Sequence, residues 1–123
     1  DEIELGVEFL KEFGYLDDAK YAHNFARNYI KLKPSGALRV ETELRRRGIA
    51  PDLAKRAARE AIGEADALEL ALKAAQKKLR LIERKPYEKR KQSLINFLRG
   101  KGFDWDTIRE VVARLLPKTD ERP

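Results

Sequence analysis

The chain repeats a short pattern with a spacing of 54 residues. The pattern is a leucine, three residues, a glycine, a large apolar residue, two residues and an aspartate. It occurs at Leu44, Gly48, Ile49 and Asp52 and again at Leu98, Gly102, Phe103 and Asp106. A glycine after the last residue of a helix takes the left-handed conformation at low cost, and an apolar residue behind it can fold back on that helix. The repeat therefore predicts two helix–turn–helix units that turn in the same way.

A shorter copy of the turn lies 34 residues upstream of the first, at Leu10, Gly14, Tyr15 and Asp18. The sequence behind it does not keep the phase of the two full copies, so the match extends only to the turn. The predicted structural turn residues are Gly14, Gly48, Ile49, Gly102 and Phe103. Asp17 and Asp18 are then predicted to cap the helix that follows Gly14.

Apolar side chains recur at helical spacing in nearly every segment, and no segment alternates in the manner of a β-strand. Three short helices bury too little apolar surface alone, whereas stacked triplets share a continuous core. The predicted fold is all-α, with tandem three-helix repeats stacked into an elongated, curved chain of short helices. Glycine and proline place these helices near residues 2–12, 18–32, 37–47, 51–62, 65–83, 87–99 and 105–116.

The predicted organisation along the chain has four parts. Residues 1–16 form the last helix of a partial N-terminal repeat. Residues 17–63 and 64–117 form one three-helix repeat each, and residues 118–123 form a tail. Alanine predominates in the third helix of the first repeat and predicts close packing there, whereas larger aliphatic residues in the second repeat predict a bulkier contact.

Composition excludes several classes of function. The chain has 123 residues, 42% of them hydrophobic, which suffices for one small domain or a few repeated units. It has no cysteine and only one histidine, so disulfides, thiol nucleophiles and cysteine-ligated zinc are excluded. No apolar run approaches the length of a membrane span, and no cluster of catalytic side chains is present. We expect a soluble, cytoplasmic, monomeric protein that is not an enzyme and uses no cofactor or metal.

Charge is unevenly distributed along the chain. Residues 1–30 contain seven acidic and three basic residues, a net charge of −4, whereas residues 31–123 contain 24 basic and 14 acidic residues, a net charge of +10. Between residues 73 and 101, eleven basic residues are accompanied only by Glu83 and Glu88. Such a surface attracts polyanions and acidic protein surfaces, although a solvated helix rich in lysine and arginine would have the same composition.

Twelve basic residues are singled out as a partner-binding or DNA-binding face. Most lie opposite the apolar stripe of their predicted helix, and the others follow or precede a predicted turn. Three of them begin a helix, where the helix dipole disfavours positive charge, which indicates an external anion. The predicted face comprises Arg39, Arg45, Arg46, Arg47, Lys73, Lys77, Arg80, Lys89, Arg90, Lys91, Arg99 and Lys101.

Three segments, at residues 14–22, 36–49 and 98–108, resemble the signatures of the RecX family. They occur in the family's order and the resemblance covers nearly the whole chain. It implies an all-helical protein of tandem three-helix repeats that regulates the bacterial RecA recombinase in homologous recombination, DNA repair and the SOS response. It also implies docking in the groove of the RecA filament on DNA, restraint of ATP hydrolysis and strand exchange, and limits on filament growth or stability.

Two classes of function therefore compete. The first is a protein-binding regulator of the RecA filament, which the resemblance favours. The second is a direct, non-specific DNA-binding helical module, because the paired helices around Gly48 and Gly102 resemble a helix-turn-helix. The predicted helix near 51–62 has no asparagine or glutamine for base edges, and the one near 105–116 is mostly apolar. Weak, non-specific DNA binding is compatible with both classes.

Overall fold

The computed structural model describes the backbone of residues 2–117 and the side chains of residues 14–117. Within this part of the chain there are six α-helices and no strand. The predicted all-α class and tandem three-helix organisation are confirmed, whereas the predicted tail at 118–123 lies outside the described residues. The helices are α1 (Glu2–Leu32), α2 (Ala37–Arg46), α3 (Pro51–Ala65), α4 (Ala67–Leu81), α5 (Tyr87–Gly100) and α6 (Trp105–Leu115).

The helices pack as two groups of three, which we call the first unit (α1–α3) and the second unit (α4–α6). In the first unit α1 and α2 pack against α3 and against each other, and in the second unit α4, α5 and α6 all contact one another. Only Asp66 separates α3 from α4. Asp66 takes a φ of 73°, and its carboxylate accepts a hydrogen bond from Leu68 N at 3.0 Å. One residue therefore ends the last helix of the first unit and caps the first helix of the second.

The turn predicted at Gly14 is wrong, because α1 continues without interruption from Glu2 to Leu32. A Schellman turn needs the residue behind the glycine to pack on the preceding helix. Tyr15 is 47% exposed, whereas Ile49 and Phe103 in the two full copies are buried. Without that contact nothing favours the turn, and glycine inside a helix costs only about 1 kcal/mol relative to alanine.

The continuity of α1 corrects one further prediction. Asp17 and Asp18 lie inside α1 and do not cap a helix. Leu16, Ala19 and Lys20, which favour helix, flank the two aspartates and carry α1 through them. The predicted division into repeats after residues 16 and 63 stays a prediction, and α1 and α3 run through these two positions.

Small side chains form the interface between α1 and α3. Ala22 and Ala26 on α1 are fully buried, as are Ala54 and Ala57 on α3. Three polar contacts advance in the same direction along both helices, which shows that the two helices run parallel. These contacts join Tyr15 to Arg56 at 3.1 Å, His23 to Glu60 at 2.7 Å and Arg27 to Glu64 at 3.2 Å.

Larger side chains fill the second unit. Leu94, Leu98, Ile108 and Val111 are at most 1% exposed and form the centre of its core. Tyr87 Oη donates a hydrogen bond of 2.8 Å to the carbonyl oxygen of Leu116, the C-cap residue of α6. This bond ties the start of α5 to the end of α6. The bulkier contact predicted for the second repeat therefore matches the side chains buried there.

Gly48 and Gly102 end α2 and α5 with φ values of 89° and 90°. In both turns the glycine N–H donates to the carbonyl three residues back, and the next N–H donates to the carbonyl five residues back. This is the hydrogen-bond pattern of a Schellman motif. The bonds are Gly48 to Arg45 at 3.0 Å, Ile49 to Leu44 at 3.1 Å, Gly102 to Arg99 at 3.0 Å and Phe103 to Leu98 at 3.2 Å.

The Gly102 turn also joins the two units. Gly36 N donates to Lys101 O at 2.9 Å, and Leu38 N donates to Gly102 O at 3.3 Å. These carbonyls satisfy N–H groups at the start of α2, which has no side-chain cap. A methyl group on Gly36 would overlap the Gly102 carbonyl, and one on Gly102 would overlap the backbone of Arg39. We call this close backbone approach the inter-unit junction.

Candidate partner-binding surface

Four basic residues lie near one another beside the inter-unit junction, because the charges of three of them act on the fourth, Lys101. We call them the junction cluster. Lys33 follows α1, Arg39 lies in the first turn of α2, Lys77 lies on α4 and Lys101 follows α5. Tyr29 Oη lies 3.5 Å from Arg39 Nε, within hydrogen-bond distance. Among the described residues, Lys33, Lys77 and Lys101 have no salt-bridge partner. The fold therefore concentrates positive charge from both units at one place.

Burial and the neighbouring positive charges both act on Lys101. Burial lowers the pKa of the Lys101 ammonium, and the charges of Arg39, Lys33 and Lys77 lower it further against an opposing effect of Tyr29. An opposite charge at this place would favour the charged form of the lysine and relieve the repulsion. The junction cluster is therefore suited to an anionic group such as a phosphate or a carboxylate.

Three rings on α1, which we call the aromatic ladder, lead to the junction cluster. Tyr21, Phe25 and Tyr29 recur at a spacing of four residues, and successive ring centroids are 6.1 Å and 5.6 Å apart. The Arg47 guanidinium lies 4.3 Å from the Phe25 centroid, and the Lys33 ammonium lies 6.0 Å from the Tyr29 centroid. A groove of about 350 Å³ runs along the rings. The apolar surface of the aromatic ladder is thus continuous with the positively charged junction cluster.

Glu43 holds three of the arginines that the sequence predicts for binding. Its carboxylate lies 3.0 Å from Arg46, 3.2 Å from Arg47 and 3.7 Å from Arg39. Burial alone would raise the pKa of Glu43, but the hydrogen bond from Arg47 and the charges of the three arginines outweigh it and hold the pKa below its usual value. Glu43 therefore partly neutralises all three arginines, and most closely Arg46 and Arg47.

Arg45 lies on a different face of α2 from Arg39 and Arg46. With Lys55 and Arg59 of α3, it lines a groove of about 550 Å³ between the two units, which we call the inter-unit groove. These three side chains are exposed, and none has a salt-bridge partner within the part of the chain that the structure describes. The structure thus divides the predicted arginines of α2 between two surfaces.

The predicted basic residues of α4 lie on one face but have different neighbours. Lys73 lies 3.9 Å from Glu69 and borders a cavity beside the end of α1. Lys77 belongs to the junction cluster. Arg80 lines a shallow cavity together with Arg90 of α5. Only the middle residue of this stripe is therefore brought to the junction.

Arg90 has a packing role that the sequence does not indicate. Its guanidinium lies 6.0 Å from the centroid of the Tyr87 ring. Its Nε atom is buried and has no hydrogen-bond partner among the described residues. The Arg90 side chain therefore packs against the second unit, and a substitution of Arg90 would disturb packing as well as charge.

The other predicted basic residues lie away from the junction cluster. Lys89 and Arg99 are exposed near the two ends of α5. Lys91 lines an apolar cavity with Trp105, which is 52% exposed at the start of α6. Of the twelve residues predicted from the sequence, the structure brings only Arg39, Lys77 and Lys101 together at the junction.

Lys33 and the aromatic ladder belong to this surface but were not predicted from the sequence. A signal for the ladder was present, because Tyr21, Phe25 and Tyr29 precede the buried Ala22, Ala26 and Ile30 by one position each and so flank the buried stripe. No local signal pointed to Lys33, because the charges around it come from α2, α4 and the end of α5.

Neither a metal site nor a membrane-spanning helix is found in the described part of the chain. No group of three or more His, Asp or Glu side chains there could hold a metal ion. His23, the single histidine, instead contacts Glu60. None of the helices there combines the length and the apolar character needed to cross a membrane.

Comparison with known proteins gives consistent matches. The second three-helix domain of RecX matches residues 17–57, and the third three-helix domain of RecX matches residues 64–112. No solved structure matches the chain.

Curated relatives named regulatory protein RecX match over most of the chain. The protein of Chlorobaculum tepidum is 35% identical over 113 residues, which cover 92% of this chain and 68% of the relative. The protein of Prosthecochloris aestuarii is 37% identical over 114 residues, 93% of this chain and 72% of the relative. The protein of Lacticaseibacillus paracasei is 33% identical over 120 residues, 98% of this chain and 50% of the relative. With two family domains matched and relatives of this similarity, the chain belongs to the RecX family of regulatory proteins.

Proposed function

We propose that this protein regulates the RecA recombinase, mainly by restraining it, and that it binds in the groove of the RecA filament on DNA. The observation that carries the proposal is the aromatic ladder beside the junction cluster. A filament groove offers protein surface and DNA phosphates side by side. Apolar rings can bury against the protein, while the basic residues face phosphates or acidic side chains.

The regulatory effect follows from binding the assembled filament more tightly than its free components. A ligand shifts an equilibrium only by its differential affinity for the two states. A protein that contacts filament and DNA together favours one arrangement of the filament, and we propose that it thereby restrains ATP hydrolysis, strand exchange and filament growth. In this proposal the protein acts as a monomer in the bacterial cytoplasm and uses no cofactor. Both predicted repeats contribute to binding.

The side chains of α3 and α6 argue against a helix-turn-helix that reads bases. Arg109 and Arg114 on α6 lie 2.7 Å and 3.0 Å from acidic side chains of the same helix. Arg56 on α3 donates to Tyr15 Oη at 3.1 Å. Lys55 and Arg59 on α3 have no salt-bridge partner among the described residues, but neither α3 nor α6 carries the asparagine or glutamine that reads adenine. Affinity for bare DNA is therefore proposed to be weak and independent of sequence.

Salt dependence distinguishes the regulator from a direct DNA-binding module. The measurement is fluorescence anisotropy of the labelled protein, titrated with bare single-stranded DNA and with RecA already assembled on that DNA. With about five phosphate contacts, affinity for bare single strands should fall about 100-fold between about 50 and 200 mM salt. Binding to the filament should be tighter and should fall less, because apolar and hydrogen-bonded contacts release no counterions.

The two possible outcomes of these titrations have opposite consequences for the proposal. Tighter binding to the filament that persists at the higher salt supports the regulator. Equal affinity and equal salt dependence for both targets would show that the DNA alone is recognised, and the DNA-binding module would replace the regulator.

A further inference from the structure

The inter-unit groove lies outside the surface assigned to the filament. Leu38 and Arg45 are seven residues apart and share a face of α2 that differs from the face of Arg39 and Arg46. The groove is walled by this face and by α3, and the Gly102 turn closes one end. A partner in the groove would therefore contact both units without covering the junction cluster.

The groove is apolar at one end and basic at the other. Leu38, Ile62 and Phe103 line the end beside the Gly102 turn, and Leu38 is 60% exposed. Arg45 and Lys55 lie at the other end, next to the turn that joins α2 to α3. An occupant with one large apolar side chain and several negative charges would match both ends.

The groove keeps a net positive charge, because its lining has three basic and two acidic residues. Arg45, Lys55 and Arg59 have no salt-bridge partner among the described residues, whereas most other arginines of the first unit do. Asp104 also lines the groove, but its carboxylate accepts a hydrogen bond from Thr107 N at 2.8 Å as the cap of α6. Glu41 is the other acidic residue at the groove.

We propose that the inter-unit groove binds a short acidic peptide segment of a partner protein. One large apolar side chain of the segment packs against the exposed Leu38, beside the buried Ile62 and Phe103, and neighbouring carboxylates contact the three basic residues. This inference does not rest on the RecA proposal, because it concerns a different face of the molecule.

The chemistry of the groove favours a peptide over a nucleic acid. Single strands bind proteins through exposed aromatic rings on which bases stack, and Phe103, the aromatic residue of this groove, is 4% exposed. An exposed leucine beside Ile62 offers a sugar–phosphate backbone no favourable contact, whereas it can bury an apolar side chain. Glu41 would repel a row of phosphates more than a segment whose charges are spaced by neutral residues.

A defined synthetic peptide tests the proposal. The probe is a fluorescein-labelled peptide of about eight residues, in which one phenylalanine is flanked by acidic residues spaced by serines, and its twin carries serine in place of the phenylalanine. Anisotropy should give a Kd below about 1 mM for the phenylalanine peptide. The serine twin should bind about tenfold more weakly, because it loses the apolar contact.

Variants of the full chain locate the binding site. Replacement of Arg45, Lys55 and Arg59 by glutamine should weaken the phenylalanine peptide about tenfold. A control with the same charge change, at the exposed Lys20, Arg84 and Lys85, should leave affinity within about twofold. Leu38→Ser should weaken the phenylalanine peptide but not its serine twin. Circular dichroism should show unchanged helical content for all of these variants, since every replaced side chain is exposed.

Three results would overturn the proposal. One is the absence of peptide binding up to about 1 mM. Another is equal weakening by the groove variant and the control, which would show that binding follows net charge alone. The third is an oligothymidylate of equal charge that loses affinity in the groove variant while the peptide does not, which would assign the groove to nucleic acid.

Discussion

The turns at Gly48 and Gly102 have the same local geometry but different neighbours. Their φ values are 89° and 90°, and the residue behind each is buried. A methyl group on Gly48 would meet nothing within 4 Å, whereas one on Gly102 would overlap the backbone of Arg39. The first copy of the motif only ends a helix, and the second also joins the two units. Equal sequence patterns therefore do not imply equal roles, because a neighbour from a distant segment gives the second copy its additional role.

Gly102→Ala should have the largest effect on stability. The substitution combines the cost of a left-handed conformation with overlap against the start of α2, and we expect a loss of about 3 kcal/mol in the free energy of unfolding. The measurement is urea denaturation followed by circular dichroism. A loss no greater than that of Gly48→Ala would show that the inter-unit junction does not resist an added methyl group.

Gly36→Ala isolates the steric part of this effect. Gly36 has a φ of −89°, which alanine adopts without strain, so overlap with the Gly102 carbonyl is the dominant cost. We expect a loss of about 2 kcal/mol. The same denaturation experiment measures it, and the combination with Gly102→Ala should be less than additive because both variants open the same contact. Full additivity would mean that the two glycines do not share one contact.

Gly48→Ala should cost about 1 kcal/mol, because only the left-handed conformation opposes it. Open space around this position leaves no steric cost. The melting temperature of Gly48→Ala should lie between those of the parent and of Gly36→Ala. A loss as large as that of Gly102→Ala would contradict the distinction between the two turns.

Gly14→Ala should have the smallest effect and the opposite sign. Gly14 lies inside α1 with open space around it, and alanine there should raise the free energy of unfolding by about 0.5–1 kcal/mol. An increase in the melting temperature would support an uninterrupted α1. A decrease would indicate a turn at Gly14, as the sequence pattern first predicts.

Local regularities in the sequence account for most of the fold. Helical periodicity gives the all-α class, and the spacing between the two full copies gives two units of similar construction. The helix that ends at Gly48 follows from hydrogen bonds within six residues, so a short segment contains the necessary information. Gly14 shows the limit of the motif, because a glycine turn also needs a buried residue behind it, and burial depends on what packs there.

The partner-binding surface around the junction cluster depends on long-range contacts, and the sequence predicted only part of it. Arg39, Lys77 and Lys101 were recognised as basic residues, but their meeting beside Tyr29 results from the backbone approach of Gly36 to Gly102. Charge counting also could not show that Glu43 partly neutralises Arg46 and Arg47. A sequence gives the number of charges, whereas the fold decides which of them remain without an acidic partner.

The most direct test of the proposed surface is the DNA-dependent ATPase activity of RecA with substoichiometric amounts of this protein. The parent should inhibit, and a variant with Lys33→Glu and Lys77→Glu should lose most of the inhibition while it keeps its helical content, because exposed charges contribute little to stability. A control with Arg84→Glu and Lys85→Glu carries the same change in net charge and should inhibit as the parent does. Full inhibition by the Lys33 and Lys77 variant, or no inhibition by the parent at any ratio, would contradict the account.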